Sequence, residues 1–177
     1  MKNIIFLFIV ISLSGCRNPR DEYVKQYLED RPDFQVLNIK LDNDLELYSS
    51  LSNDISNSID YFNSFTVINI INTDCGSCYE TMERWNEYLK NDRGLIKVVF
   101  IAIGEPNAYF KNYFSNNSRL KFYVYLDREG KFCERNGLTK YKKETFLIDK
   151  DGNIILYGDP TNSAIIEEYY KYILYEK

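Results

Sequence analysis

The 177-residue chain contains no histidine. That absence removes Ser-His and Cys-His nucleophile pairs, any imidazole general base, and zinc or copper sites that depend on imidazole ligands. Basic clusters are missing as well. Lys and Arg number 22 against 26 Asp and Glu, for a net charge of −4. With no Arg-rich stripe, nucleic acid is excluded as a partner class. The apolar segment Ile4 to Ile11 falls far short of the roughly 20 residues a membrane-crossing helix needs. There is no internal repeat and no low-complexity stretch. A composition of 45% hydrophobic and 27% charged residues is that of one globular domain with a sizeable core.

Cysteine is scarce at four residues, yet Cys75 and Cys78 stand close together at the end of the apolar run Thr66 to Asn72. That run, rich in Val and Ile, suits a strand buried on both faces. From Cys78 onward, Cys78, Met82, Trp85 and Leu89 recur at helical spacing, while Glu80, Glu83, Arg84 and Glu87 fill the other face. Cys75 therefore falls at a helix start. Unpaired backbone N–H groups and the positive end of the helix dipole favour its thiolate, below the free thiol pKa of about 8.5. Cys75 is the candidate nucleophile. Cys78, one turn further in and on the apolar stripe, is the candidate resolving thiol of a thiol–disulfide exchange.

Other readings of the cysteines are weaker. A zinc knuckle needs a second ligand pair, and in the folded part of the chain Cys133 is the only other thiol. Neither a metal nor a cofactor is expected. A purely structural Cys75–Cys78 bridge would close too small a loop to restrict the unfolded chain much. Cys133, alone in a short helix, reads as a small buried apolar residue. The 16 tyrosines and 11 phenylalanines read mostly as packing, and Lys140, Lys142 and Lys143 as a solvated loop.

The remaining elements follow in order. A short helix is expected within Asp21 to Asp30, ending near Pro32, and a β-hairpin from Phe34 to Leu47 about Asp42 to Asp44. Another short helix is expected within Ser49 to Ser64. After the Cys helix come a strand over Leu95 to Ile103, a helix over Pro106 to Phe114, a strand over Leu120 to Leu126 and a short helix over Glu129 to Asn136. Glu144 to Ile148 and Asn153 to Tyr157 form a hairpin about Asp149 to Gly152, and an amphipathic helix over Ala164 to Leu174 closes the chain. Strand, helix, strand implies a parallel crossover.

Met1–Lys2–Asn3, the apolar Ile4 to Ile11 and the small residues that follow have the pattern of a secretory signal. Leu13–Ser14–Gly15–Cys16 resembles the bacterial lipobox. The resemblance implies that residues 1–15 are a removable signal peptide, that Cys16 is lipidated, that 16–33 form a tether and that 34–177 fold outside the cytoplasm, where disulfides persist.

From about Asn38 onward, the element order, the Cys75–Gly76–Ser77–Cys78 motif and the stretch Glu144 to Gly152 resemble the membrane-anchored thioredoxin-like oxidoreductases of the TlpA and ResA type. The resemblance implies an α/β thioredoxin-like fold, with a mixed central sheet flanked by helices and an N-terminal β-hairpin extension. It also implies thiol–disulfide exchange through Cys75 and Cys78 on cell-envelope proteins, with a membrane electron donor or acceptor. The family's Asn, six residues before the first cysteine, is Asn69. Two signatures depart. The family's cis-proline position falls on Lys143, and the tryptophan before the first cysteine is replaced by Asp74. Asp74, Gly76 and Ser77, with the loop residues Lys143, Glu144 and Thr145, are the expected shapers of the site. The Asp74 carboxylate opposes thiolate formation, and an ammonium at Lys142 or Lys143 favours it. Two alternatives stay open: a peroxiredoxin-like peroxidase forming a sulfenic acid at Cys75, and a binding module that kept the fold without the catalysis.

Overall fold

The computed structural model describes residues 22, 26–27, 38–41, 44–49, 65–92, 94–117, 120–139 and 145–176. The expected signal, most of the tether, the helix within 49–64 and the loop 140–144 lie outside these residues. The architecture is thioredoxin-like. Strand β1 spans Glu46–Ser49, β2 Phe65–Asn72, β3 Ile96–Ile103, β4 Tyr123–Asp127, β5 Thr145–Ile148 and β6 Ile154–Tyr157. They form one six-stranded mixed sheet in the order β1-β4-β3-β2-β5-β6. Helices α1 (Gly76–Tyr88), α2 (Ala108–Asn116), α3 (Phe132–Arg135) and α4 (Ala164–Lys171) connect and cover it, and α4 runs on into a π-helical turn, Tyr172–Glu176.

β2 is the central strand. Val67 and Ile68 have no access to solvent, and Ile70 and Ile71 have little; β3 pairs with the strand in parallel along one edge and β5 antiparallel along the other, and an apolar core packs on each face. Asn69 sits opposite Phe100 of β3 and Thr145 of β5. Side chains alternate along a strand, so Val67, Asn69 and Ile71 face one way and Ile68 and Ile70 the other. On the first face, Val67 and Ile71 pack with Met82 and Trp85 of α1, Phe110 of α2 and Tyr169 and Tyr170 of α4. On the second, Ile68 and Ile70 pack with Phe132 of α3, Leu138, Phe146 and Ile39.

Where a hairpin over 34–47 is expected, the described residues 38–41 and 44–47 are arranged differently. Asn38 bridges to Asn153 beside β6, and the Ile39 N–H donates to the Gly152 carbonyl at 2.7 Å. Ile39, 1% exposed, then enters the second core. Asn136 grips the next residue from both sides: its Oδ1 accepts from the Lys40 N–H at 2.7 Å and its Nδ2 donates to the Lys40 carbonyl at 3.1 Å. β1 lies at the opposite edge of the sheet, antiparallel to β4. Residues 38–41 are thus a strap across the second face rather than one arm of a hairpin. The physical reason is that both sheet edges offer unpaired backbone groups to a short strand-like segment, and the core face between them accepts Ile39.

Candidate active site

Cys75 and Cys78 are joined by a disulfide with an S–S distance of 2.14 Å and Cα atoms 5.4 Å apart. Cys75 is the N-cap of α1, in extended conformation, and its side chain caps no backbone N–H. The first turn of α1 contains no acidic residue, so the dipole is left to act on sulfur. The Cys75 N–H donates to the Asn72 carbonyl, and the Cys78 N–H to the Cys75 carbonyl, both at 3.2 Å. Both cysteines are half-buried. They differ in surroundings: Cys78 packs against the first core, whereas Cys75 has Ser77 Oγ 3.4 Å from its sulfur. Gly76 and Ser77 are exposed. A Cβ at Gly76 would meet nothing within 4 Å, so the approach to the disulfide is open above the helix start.

The loop before Cys75 is pinned from below. Thr73 Oγ1 donates to the Glu105 carbonyl at 2.9 Å, and the buried Tyr79 hydroxyl donates to the Thr73 carbonyl at 3.3 Å. Burial raises the Tyr79 pKa, with smaller contributions from Tyr109 and Asp74, so it remains a donor through the neutral range. Tyr109, 64% exposed, meets the Tyr79 ring edge-on with centroids 4.7 Å apart. Gly104 makes the close approach possible: at φ +100° a Cβ there would stand 3.1 Å from Thr73 Oγ1.

The disulfide opens on a cleft of about 490 Å³ whose walls include Asn69, Thr81, Arg84, Thr145, Asp159 and Asn162. Topology brings them together. β5 is antiparallel to β2 and β6 is antiparallel to β5, so the start of β5 and the end of β6 lie at the Cys75 end of the sheet. At the cleft floor Thr145 Oγ1 donates to Asn69 Oδ1 at 2.8 Å. On the wall, Arg84 donates to Thr81 Oγ1 at 2.9 Å and to Thr161 Oγ1 at 3.4 Å, and lies 3.9 Å from the Asp159 carboxylate. That carboxylate accepts from the Thr161 N–H and hydroxyl at 2.9 and 2.7 Å. A pair this exposed adds little stability; it shapes the rim. Gly158, Asp159 and Asn162 also line a neighbouring hollow of about 290 Å³ reaching Tyr27, whose hydroxyl donates to the Tyr157 carbonyl at 3.4 Å.

Of the expected site residues, Cys75, Gly76, Ser77, Cys78 and Thr145 come together, and Asp74 is exposed beside them. Lys143 and Glu144 lie outside the described residues. Cys133 is remote, on the second face, where burial and then the Asp127 charge push its thiol pKa up. Arg84, Asp159 and Asn162 were not legible as site residues. Arg84 reads as part of a solvated helix face, and the other two lie some eighty residues beyond Cys78 (159 − 78 = 81), although the order of strands and turns was enough to bring that loop to this end.

The sequence matches no curated protein. Among solved structures it is similar to a thiol-disulfide isomerase from Corynebacterium glutamicum, with a TM-score of 0.55 and 16% identity over 82% of this chain and 99% of that one. It is similar also to a protein assigned as the thiol:disulfide interchange protein DsbE from Chlorobium tepidum, with a TM-score of 0.52 and 19% identity over 65% and 83% of the two chains. A third is the C-terminal domain of a protein assigned as a thiol-disulfide oxidoreductase from Bacteroides thetaiotaomicron, with a TM-score of 0.52 and 17% identity over 68% and 83%. Identities this low establish the fold alone. It is the match of residues 29–173 to the Redoxin family model that settles the kinship: the chain belongs to the Redoxin family.

Proposed function

We propose that this protein exchanges thiols and disulfides through Cys75 and Cys78, acting on proteins of a bacterial cell envelope to which it is lipid-anchored at Cys16. The observation that carries the chemistry is the Cys75–Cys78 disulfide at an uncapped helix start, open to solvent over Gly76 and backed by a cleft. In the reducing direction, the Cys75 thiolate attacks a substrate disulfide, one substrate sulfur leaves as thiolate, and Cys78 then breaks the mixed disulfide to close the Cys75–Cys78 bond. The oxidising direction is the reverse. A membrane electron donor or acceptor restores the starting state.

Membership of the Redoxin family and the disulfide-exchange names carried by the structural neighbours support this reading. The lipobox-like Leu13 to Cys16 supports the location. Among the described residues no helix is long and apolar enough to cross a membrane. In sequence Lys143 takes the family's proline position; the resemblance implies a loop facing the first cysteine, where an ammonium would favour the Cys75 thiolate and the Asp74 carboxylate oppose it.

Reduction of insulin by dithiothreitol, followed with and without the protein, tests the activity. Acceleration that disappears in Cys75→Ala is expected. Peroxide turnover through a Cys75 sulfenic acid, without disulfide exchange, would overturn the reading. Loss of the protein from the membrane fraction in Cys16→Ala tests the anchor.

A further inference from the structure

Arg84 is the only cation among the described residues that line the cleft, and both cysteines line the same cleft. Ser77, Thr81 and Arg84 follow one another at spacings of four and three residues along α1, so they share a helix face. Helical side chains lean toward the N-terminus, and the guanidinium does so here, its Nη2 donating to Thr81 Oγ1 at 2.9 Å. Thr81 is one turn beyond Cys78, a rise of about 4.5 Å. Both hydroxyls that hold Arg84 are committed to accepting from it. Thr81 gives its own proton to the Ser77 carbonyl at 3.4 Å and Thr161 gives its own to Asp159 Oδ1 at 2.7 Å. The side chain is thereby fixed while still 38% exposed. Asp159 does not satisfy it: Oδ1 is taken up by Thr161, and Oδ2 stands 3.9 Å from Nη2, beyond hydrogen-bond reach. Nη1 makes no hydrogen bond among the described residues. A planar guanidinium that is oriented, open to solvent and short of an acceptor suits a carboxylate, which takes two of its N–H groups at once.

We infer that Arg84 is a specificity-determining residue, its guanidinium receiving a carboxylate that the substrate carries beside the sulfur attacked by Cys75. The inference rests on the proposed disulfide exchange and names its substrate class: disulfides with an Asp or Glu next to the reactive cysteine. In the step concerned, the Cys75 thiolate bonds to one substrate sulfur, the substrate S–S bond breaks, and its electron pair leaves on the other sulfur as a thiolate. No proton moves. The half retained on Cys75 lies in the cleft, where its carboxylate meets the guanidinium over Thr81. Without Arg84 such a substrate would meet only repulsion from the carboxylates of Asp74, exposed beside the cysteines, and Asp159 on the wall. The same bonds also tie α1 to the turn after β6 through Thr161. A tie of that kind is indifferent to charge on the substrate, whereas a carboxylate site is not.

Small disulfides of equal length make the test. Dithiodipropionate, cystamine and hydroxyethyl disulfide place a carboxylate, an ammonium and a hydroxyl after the same two methylenes. In a Cys78→Ala background the mixed disulfide on Cys75 cannot be resolved, and peptide mass spectrometry follows its formation. Dividing by the hydroxyethyl rate removes any change in the reactivity of Cys75 itself. Arg84→Gln is expected to lower the dithiodipropionate ratio about three- to fivefold and to raise the cystamine ratio. Arg84→Lys should keep part of the carboxylate preference, and high salt should weaken it. Thr81→Val, which removes the hydroxyl that draws the guanidinium toward Cys78, should lower the dithiodipropionate ratio by less, and it serves where Arg84→Gln does not fold. Blocked peptide disulfides with Glu or Gln next to cysteine should show the same dependence on Arg84. An unchanged dithiodipropionate ratio in folded Arg84→Gln or, failing that, in Thr81→Val overturns the inference, and peptides blind to Arg84 overturn the assignment to an acidic residue. These disulfides react with any accessible thiolate, so the ratios are measurable whatever the natural activity. Failure to reduce insulin alongside an Arg84-dependent ratio overturns the proposed function and leaves the carboxylate site standing.

Discussion

Cys75 and Cys78 are both half-buried, and what separates their roles is what each sulfur meets. Cys75 faces Ser77 and the open space above Gly76, whereas Cys78 faces the core. An attacking partner reaches Cys75 first. Cys78→Ala should accordingly accumulate mixed disulfides through Cys75, and Cys75→Ala should accumulate few; non-reducing gels of envelope fractions make the comparison, and equal trapping by both variants contradicts the assignment. Cys133 is the opposite kind of thiol. Burial and the Asp127 charge raise its pKa, so its thiolate fraction at neutral pH is below that of a free cysteine. Its alkylation at pH 7 should be several-fold slower than that of an unstructured peptide thiol, with the difference vanishing in denaturant.

Among the helices, α1 begins differently from α2 and α4. Asn107 caps α2 by accepting from the Phe110 N–H at 2.8 Å, and Ser163 caps α4 by accepting from the Ile166 N–H at 3.4 Å. The N-cap of α1 is Cys75, which caps nothing. Stability is given up there for reactivity. Cys75→Asp in a Cys78→Ala background should raise the stability of that background by about 1 kcal/mol in a denaturant titration, because the carboxylate both caps and meets the helix dipole. Gly152→Ala should act in the other direction. At φ +82° the added Cβ would stand 2.6 Å from the Ile39 carbonyl, where the strap enters, and a loss well above 1 kcal/mol is expected in the same measurement. The β2 to α1 junction was readable in advance because a β-branched run and a helical stripe are local signals. The destinations of residues 38–41 and 46–49 were not, because alternation marks a strand-like segment without saying which open edge it joins. Asn69 was legible through the family resemblance, but its partner Thr145 and its unused N–H groups depend on register across the sheet. The walls of the cleft were hidden for the same reason: their residues are distant in sequence, and only the assembled strand order joins them.

At the scale of the whole molecule, the described residues form two apolar cores on either side of one sheet, with tyrosine in both. Burial raises Tyr88 and Tyr125 to about 12 and Tyr113 and Tyr170 further. An unfolded chain releases these protons near the ordinary value of about 10. Between that value and the raised ones the folded state holds more protons than the unfolded state, so stability present below pH 10 is lost as pH rises toward 12. Tyrosinate absorbance against pH should show part of the tyrosines ionising late and in step with loss of secondary structure. The N-terminal side of the fold sets a further limit, one of distance. Tyr27 rests at the hollow that shares Gly158, Asp159 and Asn162 with the cleft, and it lies eleven residue steps along the chain from Cys16 (27 − 16 = 11). At no more than about 3.6 Å per residue, the proposed lipid at Cys16 would keep Tyr27 within about 40 Å of the bilayer surface. Under that proposal the leash would select substrates by altitude: proteins whose disulfides lie close to the membrane would be in range, and those whose disulfides stand far above it would not, whatever their sequence.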